Sequence, residues 1–419
     1  MKTAMHLRKM TFLAFFLSMR DLAADNDVEL FSQWRWQMVC RHRINVCEQA
    51  RFLPPELLMM PSRPADPCMR VGMVLPNWIG DVVMATPALR AIRKRFGSQA
   101  TYVGIMKPYV APVLDGLSWF DDVVFYDSQS VDRQHHLREV SATLRHRQLD
   151  WIFLFPNSFR TGLMARLSGA RRRVGYARSG RGMLLTDRLV PLRRCWQCEP
   201  MSAIDYYLEL AYASGCSAES PQLELETSSS DERRADVVWE RYRLDQAAGV
   251  VALNTGGAYG AAKVWPAEYF AELGRRIAET TDWSVLVMCG PSERGQADEI
   301  VWRANHPQVH SLAKEDVAIG LTKACIRRSQ LLVTTDSGPR HFAAAFSVPS
   351  IAIFGPTDSR WSMNYHSNEV QVLHEVPCRP CGRRTCPQFH HLCMRGLSVE
   401  SVFAAVQQQS DQYSRRTAA

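Results

Sequence analysis

Residues 71–96 read VGMVLPNWIGDVVMATPALRAIRKRF. An apolar run ends at Leu75, a tight Pro-Asn-Trp-Ile-Gly loop follows, and Asp81 leads into an amphipathic stretch. A strand that passes through a glycine-containing turn into a helix is the unit that opens doubly wound α/β domains. Here a carboxylate stands where such loops ordinarily present only backbone N–H groups. Leu89, Ile92 and Phe96 are spaced three and four apart, so 87–96 is expected to be a helix with one apolar stripe. Pro87 suits its first turn, with Thr86 as a cap; a helix that begins near Asp81 and bends at Pro87 is the alternative.

The alternation continues. Short apolar runs at 71–75, 101–105, 123–126 and 151–155 read as strands buried on both faces, with helices at 110–114 and 137–147 between them. Residues 228–234 (SSSDERR) are polar and turn-rich. Beyond them a second series begins, with strands at 250–254, 284–289, 331–334 and 350–354. Its helices are expected at 266–279, 293–303, 317–327 and 341–346. The fold class is therefore α/β, with two doubly wound Rossmann-like domains facing across a cleft. The expected limits are 69–235 and 248–405, followed by a C-terminal tail, 406–419. Residues 1–68 carry Pro54, Pro55, Pro61, Pro64 and Pro67 and read as a poorly structured extension. Residues 10–19 are apolar and follow Arg8 and Lys9, but the run is short and no small-x-small cleavage pattern follows.

At 419 residues and 46% hydrophobic content the chain can build two such cores. Lys and Arg exceed Asp and Glu by 50 − 42 = 8. That excess suits an anionic ligand or surface better than nucleic acid, which is not expected as a partner. No run reaches the ~18–20 apolar residues that span a bilayer. Cys216, Cys289 and Cys325 sit in apolar runs as core residues do, a usage that favours a reducing compartment.

Three strand-end loops in the second half carry the chemistry. The first runs from Thr255 and Gly256 to Lys263 just before Trp265-Pro266; its glycines let backbone N–H groups approach an anion, and Lys263 adds charge near a helix start. In the second, Gly290-Pro291-Ser292-Glu293, Glu293 either caps the next helix or accepts hydrogen bonds from a ribose. The third, Asp336-Ser337-Gly338-Pro339-Arg340-His341, enters a small-residue helix and forms an anion nest, with His341 in contact with phosphate, acting as an acid or simply packed. Together they describe a diphosphate and ribose site in the second domain, faced by Asp81 from the first. Asp81 is then either a helix cap or first-turn acid, or a general base. Residues 166–194 hold nine Arg and one acid, Asp187. Arg172 and Arg173, with Asn77 and Trp78 beside Asp81, are the candidates on the acceptor side. Cys378, Cys381, Cys386 and Cys393, with His390 and His391 nearby, have metal-like density; a structural zinc, reduced packing thiols and a disulfide stay open.

LPNWIGDVVMATPALRAIRK, NTGGAYGAAKVWPAEYFAEL, CGPSERGQA, TTDSGPRHFAAAF, VPSIAIFGPTDSRW and PCRPCGRRTCPQFHHLCMRGLS together resemble glycosyltransferase family 9, over roughly residues 70–405. The resemblance is to its ADP-heptose:lipopolysaccharide heptosyltransferase II branch. It implies a GT-B fold and inverting transfer of heptose from ADP-heptose to the lipopolysaccharide inner core. The acceptor would be the anionic lipid A–core glycolipid. The enzyme would work in the cytoplasm, peripheral to the inner membrane, with no cofactor required. It also implies Asp81 as catalytic base, Lys263 and the Asp336, Ser337, Gly338, Pro339 loop on the donor diphosphate with His341 close by, and Glu293 near the nucleoside. Arg340 departs from the apolar residue often found there, which makes it a candidate for phosphate or acceptor contact. Rival readings are a family-9 transferase of another sugar or acceptor, a sugar-nucleotide epimerase, and a non-catalytic nucleotide-sugar sensor.

Overall fold

The computed structural model describes residues 69–417 other than 192, 195, 196, 199 and 258, so the expectations for 1–68 lie outside the described residues. Two six-stranded sheets, all parallel, organise the rest. The first contains β1 (Arg70–Val74), β2 (Thr101–Met106), β3 (Asp122–Phe125), β4 (Trp151–Leu154), β5 (Arg172–Tyr176) and β6 (Asp187–Leu189). An antiparallel ribbon of β7 (Arg193–Arg194) and β8 (Gln197–Cys198) follows. The second sheet contains β9 (Gly249–Asn254), β10 (Trp283–Met288), β11 (Val309–Ser311), β12 (Leu331–Thr335), β13 (Ser350–Phe354) and β14 (Glu369–Leu373). Both follow the doubly wound order, β3-β2-β1-β4-β5-β6 and β11-β10-β9-β12-β13-β14, so each has a switch point beside its first strand. Val71 pairs with Tyr102 and Trp151; Val251 pairs with Val285 and Leu331.

The helices are α1 (Ile79–Met84), α2 (Thr86–Phe96), α3 (Leu137–Arg147), α4 (Phe159–Leu167), α5 (Ala203–Tyr212), α6 (Ser229–Tyr242), α7 (Ala267–Thr280), α8 (Arg294–Ala304), α9 (Ile319–Arg328), α10 (Gly338–Ala345), α11 (Leu392–Arg395) and α12 (Val399–Thr417). The two readings of the first helix merge. α1 and α2 meet at Ala85, Pro87 lies in the first turn of α2, and Leu89, Ile92 and Phe96 are buried. Thr86 caps nothing; its hydroxyl donates to the Val83 carbonyl at 2.7 Å across the break. Residues 110–114 fall in a 3-10 helix, Pro108–Val113, whose prolines prevent a regular α-helix.

Two expected limits shift. α6 starts on a capping box in which Ser228 and Asp231 bond each other's backbone N–H, and it packs against α9 of the second lobe. It therefore continues the second lobe backward past the expected start at 248. The tail from 406 on is no separate segment. α12 runs across that limit, with Val402 and Val406 buried, Glu400 paired to Arg276 at 2.6 Å, and the Tyr413 ring edge-on to Trp283.

One contiguous apolar cluster runs from Val71 and Leu89 through Trp239 to Val251 and Val285, so the two lobes share a core on one side. Lys323 of α9 crosses that junction. It is fully buried, and its ammonium donates to the carbonyls of Asp115 and Glu226 at 2.8 Å and of Val113 at 3.3 Å. Burial pushes its pKa down, and Asp231 at 3.8 Å pulls it back up. Lys323→Met leaves these buried carbonyls unpaired while relieving the buried charge. Urea titration should show a net loss of about 2 kcal/mol. An unchanged midpoint would show that the ammonium does not hold the lobes together.

Candidate functional site

Ligands of doubly wound sheets bind at the carboxyl ends of the strands, and here those ends meet at α1 and α10. The helices approach closely because glycine lies on both sides. A Cβ on Gly80 would stand 2.8 Å from Cδ2 of His341, and one on Gly338 would stand 3.1 Å from Cγ2 of Ile79. Asp81 is the next residue after that contact. The N-cap of its helix is Trp78, without any side-chain hydrogen bond, so Asp81 is not the cap but an acid of the first turn. Burial raises the Asp81 carboxyl from 3.8 to about 6, although Lys263 pulls it down; Asp336 pushes it further up. The first lobe's carboxyl thus lies in the field of charges carried by the second.

Those charges form a tight group. The Lys263 ammonium donates to Asp336 Oδ2 at 2.6 Å and to its carbonyl at 2.7 Å, and it stands 4.4 Å from the Tyr259 ring centroid. Asp336 also accepts from Thr357 at 2.8 Å and from Ser362 at 3.0 Å. Despite burial, Lys263 and then Arg340 hold its carboxyl down to about 2. Behind it the two strand-end loops are stitched together. Asn254 Nδ2 donates to Gly256 O, Thr334 Oγ1 and Ser337 Oγ at 3.2, 3.0 and 2.9 Å. Two buried polar atoms here, Thr255 Oγ1 and His341 Nδ1, lack a partner.

The remaining second-lobe candidates lie on the same rim. Glu293 takes the capping position, accepting the Gly290 N–H at 2.7 Å, and its carboxylate lies over Gly256, where a Cβ would stand only 1.9 Å from Oε1. Ser337 is the N-cap residue of α10, and Gly338 and Pro339 form its first turn. His341 is packed against Gly80, and burial pushes its pKa down to about 3, so it is neutral and no acid at ordinary pH. Asn77 and Trp78 are exposed beside Asp81, and the Asn77 carbonyl accepts the Tyr109 hydroxyl.

Two expectations need correction. Arg172 and Arg173 open β5, at the end of the sheet away from the cleft. Arg172 grips Asp187 and lies over Trp151 at 4.5 Å, while Arg173 donates to the carbonyls of Leu184 and Ala170 at 2.8 and 2.7 Å. A dense run of one charge masked the fact that a strand has two ends. Arg340 is fully buried and is not available to phosphate. It grips Glu369 bidentately at 2.7 Å and donates to Ser362 O at 2.7 Å. Among the described residues no group of three or more His, Cys, Asp or Glu could hold a metal ion, so the zinc expectation gains no geometry. Cys378, Cys381, Cys386 and Cys393 are free thiols around a cavity of about 20 Å³. Backbone N–H groups, first that of His391, hold the Cys386 thiol below its usual range.

Arg181 was not singled out from the sequence. It lies beyond β5, fully buried, and donates to Tyr176 O at 2.9 Å, Thr161 Oγ1 at 3.1 Å and Asn157 Oδ1 at 3.2 Å, with its pKa pushed down to about 10 by burial. Asn254, Thr357 and Ser362 were missed too. Each is a single polar residue at a strand end or in a loop, and only folding brings them together.

A carboxyl poised between its two protonation states, opposite glycine loops and a paired lysine, suits proton removal next to a departing anion. Residues 137–391 match the sequence profile of glycosyltransferase family 9 (heptosyltransferase). The chain is 24% identical over 339 residues to a lipooligosaccharide heptosyltransferase 2 of Campylobacter jejuni, covering 80% of this chain and 96% of that one. It is also 24% identical to lipopolysaccharide heptosyltransferase 2 of Escherichia coli K12, over 69% of this chain and 83% of that one. Among solved structures, E. coli ADP-heptose lps heptosyltransferase II superposes with a TM-score of 0.67 at 20% identity, over 83% of this chain and 100% of that one. A glycosyl transferase family 9 structure from Veillonella parvula superposes with a TM-score of 0.68 at 19% identity, over 81% and 97%. With its two facing parallel sheets in the GT-B arrangement, the chain belongs to glycosyltransferase family 9.

Proposed function

We propose that this protein is an inverting glycosyltransferase that moves heptose from ADP-heptose to the inner core of lipopolysaccharide. The heptose, its ADP carrier and the lipopolysaccharide acceptor extend to this chain what the names of its relatives state of them, while inversion and the inner core follow from the family resemblance. The observation that carries it is Asp81. A carboxyl of one lobe stands at the Gly80–Gly338 contact, in the field of Lys263 and Asp336 of the other. Asp81 takes the proton from the acceptor hydroxyl. The hydroxyl oxygen then attacks the anomeric carbon from the face opposite ADP, and the bond from that carbon to the diphosphate oxygen breaks. Lys263, the loop from Asp336 through Ser337, Gly338 and Pro339, and the start of α10 meet the charge that grows on the leaving diphosphate. Thr255 and Gly256 begin the loop that ends at Lys263, Glu293 stands on the nucleoside side, and His341 serves as packing between the lobes. Asn77 and Trp78 flank the acceptor's approach. The scheme requires no metal. The acceptor is an anionic lipid A–core glycolipid, met at the cytoplasmic face of the inner membrane. Among the described residues no helix is long and apolar enough to cross a membrane.

Incubation of the purified protein with ADP-heptose and truncated lipopolysaccharide, followed by mass spectrometry, tests the proposal. ADP release with extension of the acceptor supports it. An isomerised donor would mark an epimerase, and binding without turnover a sensor. The pH dependence follows from the raised carboxyl of Asp81. A base must be ionised, so kcat/KM should rise with pH through about 6 and then level off. Asp81→Asn should lower kcat by about 10²–10⁴-fold and abolish that limb.

The same variant carries a stability signature. Because the folded-state pKa lies above the ordinary 3.8, the native protein holds the proton more tightly than the unfolded chain. Wild type therefore loses stability as pH rises from about 4 to about 6, by at most about 3 kcal/mol. Asn has no charge to desolvate. Thermal unfolding should show Asp81→Asn above wild type at pH 8, with the gap closing by pH 4. A variant melting below wild type at pH 8 would contradict a destabilised, poised carboxylate.

A further inference from the structure

Two cations of this part of the second lobe, one at the cleft and one buried behind it, are neutralised from within. Lys263 is paired to Asp336, and Arg340 to Glu369. Arg384 is different. It is exposed, and no carboxylate of the described residues pairs with it. Its guanidinium carbon lies 5.6 Å from the Trp78 ring centroid of the first lobe and 5.7 Å from the Tyr259 ring centroid of the second. Tyr259 is the ring that Lys263 also approaches, at 4.4 Å. One aromatic ring thus marks a place where two cations converge beside Asp81's neighbour Trp78.

The backbone beneath Arg384 is held firmly. Its carbonyl accepts the Ala262 N–H at 3.0 Å, and Gly260, at a φ of +138°, leaves that carbonyl room, since a Cβ there would stand 2.7 Å from it. The Tyr259 hydroxyl donates to Gly382 O at 2.5 Å, Gly382 N donates to Pro356 O at 2.8 Å, and Arg379 Nε donates to Gly355 O at 2.6 Å. The loop of four cysteines is therefore sewn to the ends of β9 and β13. It presents Arg384 beside Trp78 of the first lobe.

We infer that Arg384 binds the diphosphate of the nucleotide donor, closing over it from the cysteine loop opposite Lys263. The inference rests on the donor reading given under Proposed function. A diphosphate carries more charge than Lys263, already paired, can balance. A guanidinium matches phosphate oxygens two at a time. Contacts between an exposed cation and aromatic rings hold only about 0.5–1 kcal/mol, so little is lost when Arg384 turns from the rings onto an anion. The rings keep it in place until the nucleotide arrives. The same chemistry would also recognise a phosphate on the acceptor glycolipid, and the two sources are separable by experiment.

Isothermal titration calorimetry of the full chain with ADP, AMP and adenosine, on wild type, Arg384→Gln and Arg384→Lys, provides the test. Arg384→Gln should weaken ADP about tenfold, leave adenosine unchanged and keep the wild-type melting temperature. Arg384→Lys should recover part of the loss, and steady-state kinetics should show a raised KM for the donor with the KM for the acceptor unchanged. Equal ADP affinity in wild type and Arg384→Gln overturns the inference, and a rise in acceptor KM alone would reassign the charge to an acceptor phosphate. If wild type itself binds no ADP, the nucleotide-donor reading is what fails.

Discussion

Gly80 and Gly338 let two helices from different lobes come closer than any side chain would permit. This contact governs the site. It presses His341 into a dry, neutral position, and it delivers Asp81 to the rim of the opposite lobe. A methyl group on either glycine would push α1 and α10 apart and move the carboxyl away from Lys263 and Asp336. The poise of Asp81 is therefore a product of backbone approach and not of any hydrogen bond that the carboxylate makes. Lys323 secures the lobes near the shared core with an ammonium under three carbonyls. One contact is apolar and close, and the other is ionic and buried.

Asp336 is the electrostatic centre of the second lobe. Lys263, Thr357 and Ser362 converge on it, and Arg340 stands behind, itself held by Glu369. Burying so many charges gains little stability over an apolar core of equal volume, because desolvation offsets most of the attraction. What the network provides is position. It fixes the Lys263 ammonium at the cleft face and keeps Asp336 ionised, so the local field at Asp81 is set before any ligand arrives. The Asp81 carboxyl is raised all the same, by its own burial and against the pull of Lys263.

Much of the architecture was legible in the chain. Strands buried on both faces show as continuous apolar runs, and seven of the eight so expected have at least one end shifted by a residue, while 350–354 keeps both. β5, β6, β11 and β14 escaped notice because they are short or charged; β5 opens with two arginines and β14 with Glu369, so neither reads as an apolar run. The C-terminal helix was not expected at all, for a related reason. Its later turns are rich in Gln and Ser, and the apolar residues that bury them are sparse. In the site, Asp81, Lys263, Glu293 and the 336–341 loop stood out because glycine and charge cluster at strand ends. Arg172 and Arg173 misled because a charge run says nothing about which end of a strand it occupies.

Sequence alone determined the two doubly wound lobes, since apolar periodicity and turn chemistry are local properties of the chain. It also determined which loops carry glycine, acid and base, and so what chemistry a site could hold. Only the tertiary structure decided that Arg340 serves Glu369 and not a ligand, that His341 is neutral packing, and that Arg384 reaches both Trp78 and Tyr259. Those outcomes depend on burial and on partners as many as 306 residues apart (384 − 78 = 306), and a side chain's charge acquires its role from what surrounds it in space.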